Sequence, residues 1–162
     1  MNLGKSLSHA LKAVLASLFA LALAFSLGAP AHAAGIILTT NTDGTPYGEA
    51  GGQITFPDGY SFKIVDGWVK DYCDGGGDDR GIYFYGRVAL RGADGWSMVK
   101  LGLLGKDSNG CGQNAVFLDS PLKFSYKRQV RYVELWICEE DRDVSTQCLH
   151  KAMKSYNNPL FY

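Results

Sequence analysis

Histidine is scarce in this chain of 162 residues, which contains three: His9, His32 and His150. The first two lie in an N-terminal stretch that we expect to be cleaved off, so that His150 alone remains. A serine or cysteine nucleophile needs a neighbouring base to activate it, and no Gly-x-Ser-x-Gly motif is present. We interpret His150 as a surface residue. The sequence therefore predicts a protein that is not an enzyme and that needs no cofactor.

Long apolar runs are also lacking, except for one between Ala13 and Leu27. It follows two lysines, Lys5 and Lys12, and precedes the small-residue sequence Ala31-His-Ala33. This order is typical of a secretory signal peptide cleaved after Ala33, and the run is shorter than the roughly 20 residues of a membrane span. We predict a signal peptide at residues 1–33, one domain at residues 34–162, a secreted and extracellular location, and no membrane partner after cleavage.

An excess of positive charge is missing as well. Residues 34–162 carry 14 Lys and Arg against 16 Asp and Glu. Nucleic acids and anionic membranes require a basic surface, so this balance argues against both as partners. A chain of this length normally forms one domain, and it can bury roughly two-thirds of its unfolded surface.

Metal-binding patterns are weak. No Cys-x-x-Cys pair is present, which argues against zinc. The acidic, glycine-rich segment 71–79 leaves a calcium site open, although an exposed acidic loop is the favoured interpretation and no metal site is predicted. A pair of carboxylates can also hydrolyse glycosides without histidine, and the candidates for such a pair are Asp71, Asp74, Asp78, Asp79 and Glu134.

The four cysteines, Cys73, Cys111, Cys138 and Cys148, lie after the predicted signal peptide. An even number in an exported chain indicates two disulfides, for which three pairings exist. We favour Cys73–Cys111 and Cys138–Cys148. The second pair would clamp the ends of a hairpin, because it encloses only a short polar run.

A helical apolar period is absent, whereas short alternating runs recur between glycine-rich turns. The clearest hairpin joins residues 81–90 to residues 96–104. Its strands carry large apolar groups on both faces, which predicts that the pair lies inside its sheet. Mid-strand Gly86 and Gly102 indicate a bulge or a close backbone approach. Residues 47–52 are predicted as loop. The fold class is all-β: a small antiparallel β-sandwich or barrel-like domain with two disulfides.

Two groups of residues are candidates for partner binding. Tyr83, Tyr85 and Arg87 share one face of the hairpin, and tyrosine and arginine are enriched at recognition surfaces. The run Ile36-Ile-Leu38 would lie near the new N-terminus and could insert into a partner's open sheet edge. The alternative is that residues 35–40 form the first strand of the chain's own sheet. The partner-binding residues are therefore predicted as Ile36, Ile37, Leu38, Tyr83, Tyr85 and Arg87.

Three segments carry a family resemblance: Asp79-Arg-Gly-Ile-Tyr-Phe-Tyr-Gly-Arg87, Asp107-Ser-Asn-Gly-Cys-Gly112, and Val130-Arg-Tyr-Val-Glu-Leu-Trp-Ile-Cys138 with a later Cys148. In this order they resemble small secreted four-cysteine proteins of filamentous actinobacteria, among them the adaptor subunit of umbrella toxin particles. That adaptor joins a lectin subunit to a large toxin polypeptide. The resemblance implies a non-enzymatic bridging role, with the mature N-terminus engaging one partner.

The predicted function is therefore a secreted protein-binding domain, an adaptor that bridges subunits of an extracellular antibacterial toxin complex. Its expected partners are other secreted proteins. The first alternative is a small inhibitor of a secreted hydrolase, which would bind through a disulfide-held loop. The second is a carbohydrate-binding module that uses Tyr83, Tyr85 or Trp96.

Overall fold

The described residues form nine β-strands and no helix. In the computed structural model these residues are 32–42, 45–72, 80–108, 114–141 and 148–162. The strands are β1 (His32–Thr42), β2 (Thr45–Phe56), β3 (Ser61–Asp71), β4 (Arg80–Gly92), β5 (Gly95–Asp107), β6 (Val116–Phe117), β7 (Leu122–Ser125), β8 (Val130–Asp141) and β9 (Cys148–Asn157). The predicted all-β class is confirmed. Across these residues there is no helix that could cross a membrane.

The first sheet contains β1, β2 and β3 in that order, and both β6 and β7 pair with β3. All its pairings are antiparallel. The prediction that residues 47–52 form a loop is wrong, since they lie within β2. Glycine allows this pairing because the ring of Trp68 lies against Gly51, where an added Cβ would come within 2.4 Å of the indole.

The second sheet has the strand order β5-β4-β8-β9, again with antiparallel neighbours. The β4–β5 hairpin is confirmed, but its interior position is correct only for β4. Within the described part of the chain, β5 is an edge strand. None of the nine described strands covers its second apolar face, where Trp96, Met98 and Leu103 are each more than 40% exposed.

A disulfide joins Cys138 near the end of β8 to Cys148 at the start of β9, with Cα atoms 5.3 Å apart. This confirms the predicted pairing and the predicted hairpin clamp. Cys73 and Cys111 lie outside the described residues, so their predicted pairing stays a prediction.

The buried core draws on both sheets. In β4 and β8 the alternation predicted from the sequence places Ile82, Phe84, Leu135 and Ile137 in the interior, each fully buried. Phe62 of the first sheet stacks on Phe124 of β7 with ring centroids 4.7 Å apart. Since side chains alternate along a strand, the opposite residues of β4 and β8 point away from this core.

Candidate functional site

The outward-pointing residues of β4 and β8 form the face of the second sheet that lies opposite the core, which we call the outer face. Residues paired in register share a face of a sheet. The pairs are Tyr83 with Cys138, Tyr85 with Trp136, and Arg87 with Glu134. All three predicted hairpin residues, Tyr83, Tyr85 and Arg87, therefore lie on this face.

A groove of about 470 Å³ runs across the outer face. Its lining residues come from β5, β4, β8 and β9: Tyr85, Gly86, Lys100, Gly102, Trp136, Cys138, Glu140 and Cys148. Gly102 pairs in register with Gly86, and a Cβ added at Gly102 would meet no atom within 4 Å, so its lack of a side chain leaves this space open. Gly102 has a positive φ of 82° beside a break in the strand register, which confirms the bulge indicated by the sequence.

Aromatic rings are held in place inside the groove. The ring of Tyr85 stacks on Trp136, with centroids 5.8 Å apart, and on Tyr83 at 6.4 Å. The Tyr85 hydroxyl donates a hydrogen bond of 2.7 Å to the Glu140 carboxylate. Burial, and then this hydrogen bond, raise the pKa of Tyr85. The phenol is therefore a fixed, protonated part of the groove wall.

Arg87 is anchored on the same face. Its Nε and Nη2 donate hydrogen bonds of 2.9 and 2.7 Å to the two carboxylate oxygens of Glu134. This fork is the geometry in which arginine binds a carboxylate most strongly, and it raises the pKa of Arg87. The guanidinium of Arg87 is thus already occupied by an acid of its own chain, which reduces its value for partner binding.

Flexible apolar side chains surround the groove. Leu103 pairs in register with Tyr85, and Met153 pairs with Trp136. Their exposed fractions are 49% and 52%. Met98, further along β5, is 41% exposed and accepts a contact of 3.6 Å from the Tyr132 hydroxyl. The groove therefore lies within a larger apolar surface.

The predicted N-terminal binding run is the strand β1 of the chain's own sheet. Ile36 and Leu38 are 1% and 4% exposed and belong to the core, so these two side chains are not available to a partner. Their place in the core favours the alternative of an internal strand over an inserting arm. Ile37 points the other way and is 75% exposed.

His150 has a more specific environment than the sequence suggested. Its Nδ1 lies 2.5 Å from the carboxylate of Glu139, a residue that is 3% exposed. Its ring stacks on Tyr47 with centroids 4.4 Å apart. Arg80 donates a hydrogen bond of 3.3 Å to the other oxygen of the same carboxylate.

Two buried acids join the sheets near the acidic segment 71–79. The backbone N–H of Asp71 donates a hydrogen bond of 3.0 Å to the carboxylate of Asp107. Asp71 and Asp107 are 4% and 0% exposed. Asp74, Asp78 and Asp79 lie outside the described residues, and elsewhere no group of three potential metal ligands is found.

Sequence reasoning did not assign several groove residues to a binding site: Lys100, Trp136, Glu140 and the two cysteines of the correctly predicted disulfide. For two of these residues, Trp136 and Cys138, the sequence did indicate a shared face. The alternation in β8 places Trp136 and Cys138 on one face, and the hairpin clamp places β9 beside them. Which strand lies next to β8 on its other side is decided by long-range pairing, and no local pattern reports that. The match of Trp136 to Tyr85 was therefore not visible in the sequence.

No protein-family model, curated protein or solved structure matches this chain.

Proposed function

We propose that this protein is a secreted, non-enzymatic binding domain whose partner is another secreted protein docked on the outer face of the second sheet. The observation that supports this most directly is the exposed apolar surface around the groove, made by Met98, Leu103 and Met153. Burying such side chains against a partner is favourable by about 25 cal/mol for each Å² of apolar surface removed from water.

The composition of the surface favours a protein partner. Methionine is flexible and polarizable, and it is common at surfaces that adapt to another protein. Tryptophan and tyrosine supply rigid contact area, and here Trp136 and Tyr85 are stacked before any partner arrives. A preorganised aromatic centre with adaptable apolar neighbours matches the anatomy of a protein interface.

Secretion is the compartment we propose. The Cys138–Cys148 disulfide supports it, because disulfides persist mainly in oxidising environments. The expected signal peptide at residues 1–33 supports it further. The contact between Asp71 and Asp107 brings together the chain just before Cys73 and the chain just before Cys111. We therefore propose Cys73–Cys111 as the second disulfide and a β-sandwich as the arrangement of the two sheets, which share one core.

An adaptor role in an umbrella toxin particle remains the specific form of this proposal. An adaptor must hold two partners at once, and the outer face can serve one of them. Among the described strands β1 is at the end of the first sheet, so a partner strand could be added along it, with the exposed Ile37 as a neighbouring apolar contact.

The test is a quantitative pulldown from the culture fluid of the producing cells. Trp136→Ala and Met153→Ser should each reduce the captured protein at least tenfold relative to the natural chain. Ile37→Ser removes an apolar group of the first sheet that is more exposed, at 75%, and it should retain capture of the partner that binds the outer face. Unchanged capture by both groove variants, with thermal melting intact, would contradict the proposed site.

A glycan is the second candidate ligand, because Tyr85 and Trp136 line the groove together with Lys100 and Glu140. Aromatic faces can stack on sugars while the charged ends accept and donate hydrogen bonds. The same variants should be applied to insoluble cell-wall polysaccharide. The natural chain would then be retained on the polysaccharide and Trp136→Ala would not. That result, with no protein captured from the culture fluid, would identify the ligand as a carbohydrate.

A further inference from the structure

Four cationic side chains collect at the end of the second sheet where β4 passes into β5. They are Arg91, Lys127, Arg128 and Arg131, all exposed, and we call them the basic rim. A hollow of about 330 Å³ lies among them, lined by Tyr60, Arg91, Lys127, Arg128 and Gln129. Arg91 is six residues beyond Tyr85 along β4, so the rim is roughly 20 Å from the centre of the groove.

The rim arginines are held by contacts other than those with Asp or Glu side chains of the described residues. Arg91 donates a hydrogen bond of 3.0 Å to the side-chain oxygen of Gln129 and a longer one of 3.4 Å to the main-chain oxygen of Tyr162. Arg128 donates a bond of 2.9 Å to the hydroxyl of Ser97. Across the described ranges, no Asp or Glu side chain forms an ion pair with any of the four rim cations. Their positive charge is therefore oriented without a side-chain acid of those residues to balance it.

Other arginines of the second sheet behave differently. Arg80 pairs with Glu139, and Arg87 pairs with Glu134 through a fork of two hydrogen bonds. The chain thus supplies a side-chain carboxylate to both arginines elsewhere on β4, but among the described residues no Asp or Glu side chain pairs with the rim. Asp58, beside the hollow, accepts a hydrogen bond of 2.7 Å from the backbone N–H of Tyr60.

Aromatic side chains accompany the rim. The guanidinium of Arg131 lies 4.8 Å from the centre of the Trp96 ring. Trp96 in turn contacts Phe161 edge-on, with centroids 4.9 Å apart. Tyr60 is 48% exposed at the hollow. Arginine with tryptophan and tyrosine is the composition of protein-binding hot spots, which favours a polypeptide over a simple ion.

We propose that the basic rim binds a carboxylate-rich segment of a partner polypeptide, at a site separate from the groove. Oriented guanidinium groups match carboxylates with two parallel hydrogen bonds. The cations come from the end of β4 and from residues 127–131, so they can meet successive acidic side chains of an extended chain. Two separate surfaces would also let one domain hold two partners.

The probe is a fluorescently labelled, N-acetylated hexaglutamate peptide, and the readout is its anisotropy on binding the intact protein at low salt. Exposed ion pairs contribute little individually, so the double variant Arg91→Gln/Arg128→Gln should weaken the Kd about tenfold. Lys106→Glu places a charge reversal at the far end of β5 and should change the Kd less than about twofold. Trp136→Ala should leave peptide affinity unchanged, which separates this site from the groove.

Several outcomes would overturn the proposal. If Lys106→Glu loses as much peptide affinity as the double variant, the attraction is non-specific. If the double variant keeps full affinity, the peptide does not bind at the rim. Tighter binding of inorganic phosphate or of a sulfated glycan, at matched charge concentration, would assign the rim to a different ligand. Salt-sensitive self-association that Arg128→Glu abolishes, measured by sedimentation, would make a second copy of this chain the ligand. Near-ultraviolet circular dichroism checks that each variant is folded.

Discussion

His150 Nδ1 lies 2.5 Å from the carboxylate of Glu139, and this contact links β9 to β8 within two residues of the disulfide at Cys148. Glu139 is almost completely buried, whereas the side chain of His150 is 32% exposed. The buried acid is therefore satisfied by a partner that still reaches solvent. We regard the pair as a structural link between the last two strands.

The first prediction concerns that link. Glu139→Ala should lower the free energy of unfolding by about 1–2 kcal/mol, less than for a fully buried pair, because both of its partners, Arg80 and His150, reach solvent. His150→Ala should also destabilise, since it leaves a buried carboxylate with one fewer partner. Urea unfolding measures both changes. No destabilisation in either variant would contradict the structural role of the link.

The second prediction concerns the disulfide. The double variant Cys138→Ser/Cys148→Ser should lose about 2–3 kcal/mol of stability, as expected for a bridge that closes a short loop. The measurement is denaturant unfolding of the variant and of the natural chain, both kept oxidised. Because the bridge also lines the groove, partner binding should weaken as well. A variant of unchanged stability would mean that β8 and β9 are held by their ladder alone.

The third prediction tests where the two sheets approach each other. A Cβ added at Gly48 of β2 would lie 2.2 Å from Cγ1 of Ile82 in β4. Gly48→Ala should therefore cost about 1–3 kcal/mol through overpacking. Ile82→Ala alone should cost about 2–5 kcal/mol. The double variant should lose less stability than the sum of the two single losses. Simple additivity in this cycle would contradict the close approach.

The fourth prediction is a pH dependence. A hydrogen bond of 2.7 Å to Glu49, then burial and then the charge of Glu49 raise the pKa of Tyr72 from 10.0 to about 12. Because the folded pKa lies above the unfolded one, this stabilisation is complete below pH 10 and is lost as pH rises towards about 12. Phenolate absorbance should show a late-titrating tyrosine, which Glu49→Gln should shift towards pH 10. An unshifted titration in that variant would assign the late group to another tyrosine.

Much of the strand content was predictable from alternation. Ile82 and Phe84 of β4, and Leu135 and Ile137 of β8, are buried as their spacing indicated, because a side chain's face follows directly from its position along a strand. The prediction for β5 failed, because apolar side chains on both faces can indicate either an inner strand or an edge strand with an exposed binding surface. The prediction for residues 47–52 failed because glycine there does not mark a turn: Gly51 leaves room within β2 for the indole of Trp68.

The local properties of this protein were predictable from its residue pattern: the all-β class, the β4–β5 hairpin, and the Cys138–Cys148 clamp around a short polar run. These depend on neighbours along the chain. The contacts of Trp136 with Tyr85, of Glu139 with Arg80 and His150, and of Arg128 with Ser97 became visible only in the folded chain. Those contacts join residues distant in sequence, and their geometry follows from strand order and register, which are set by burying one shared core.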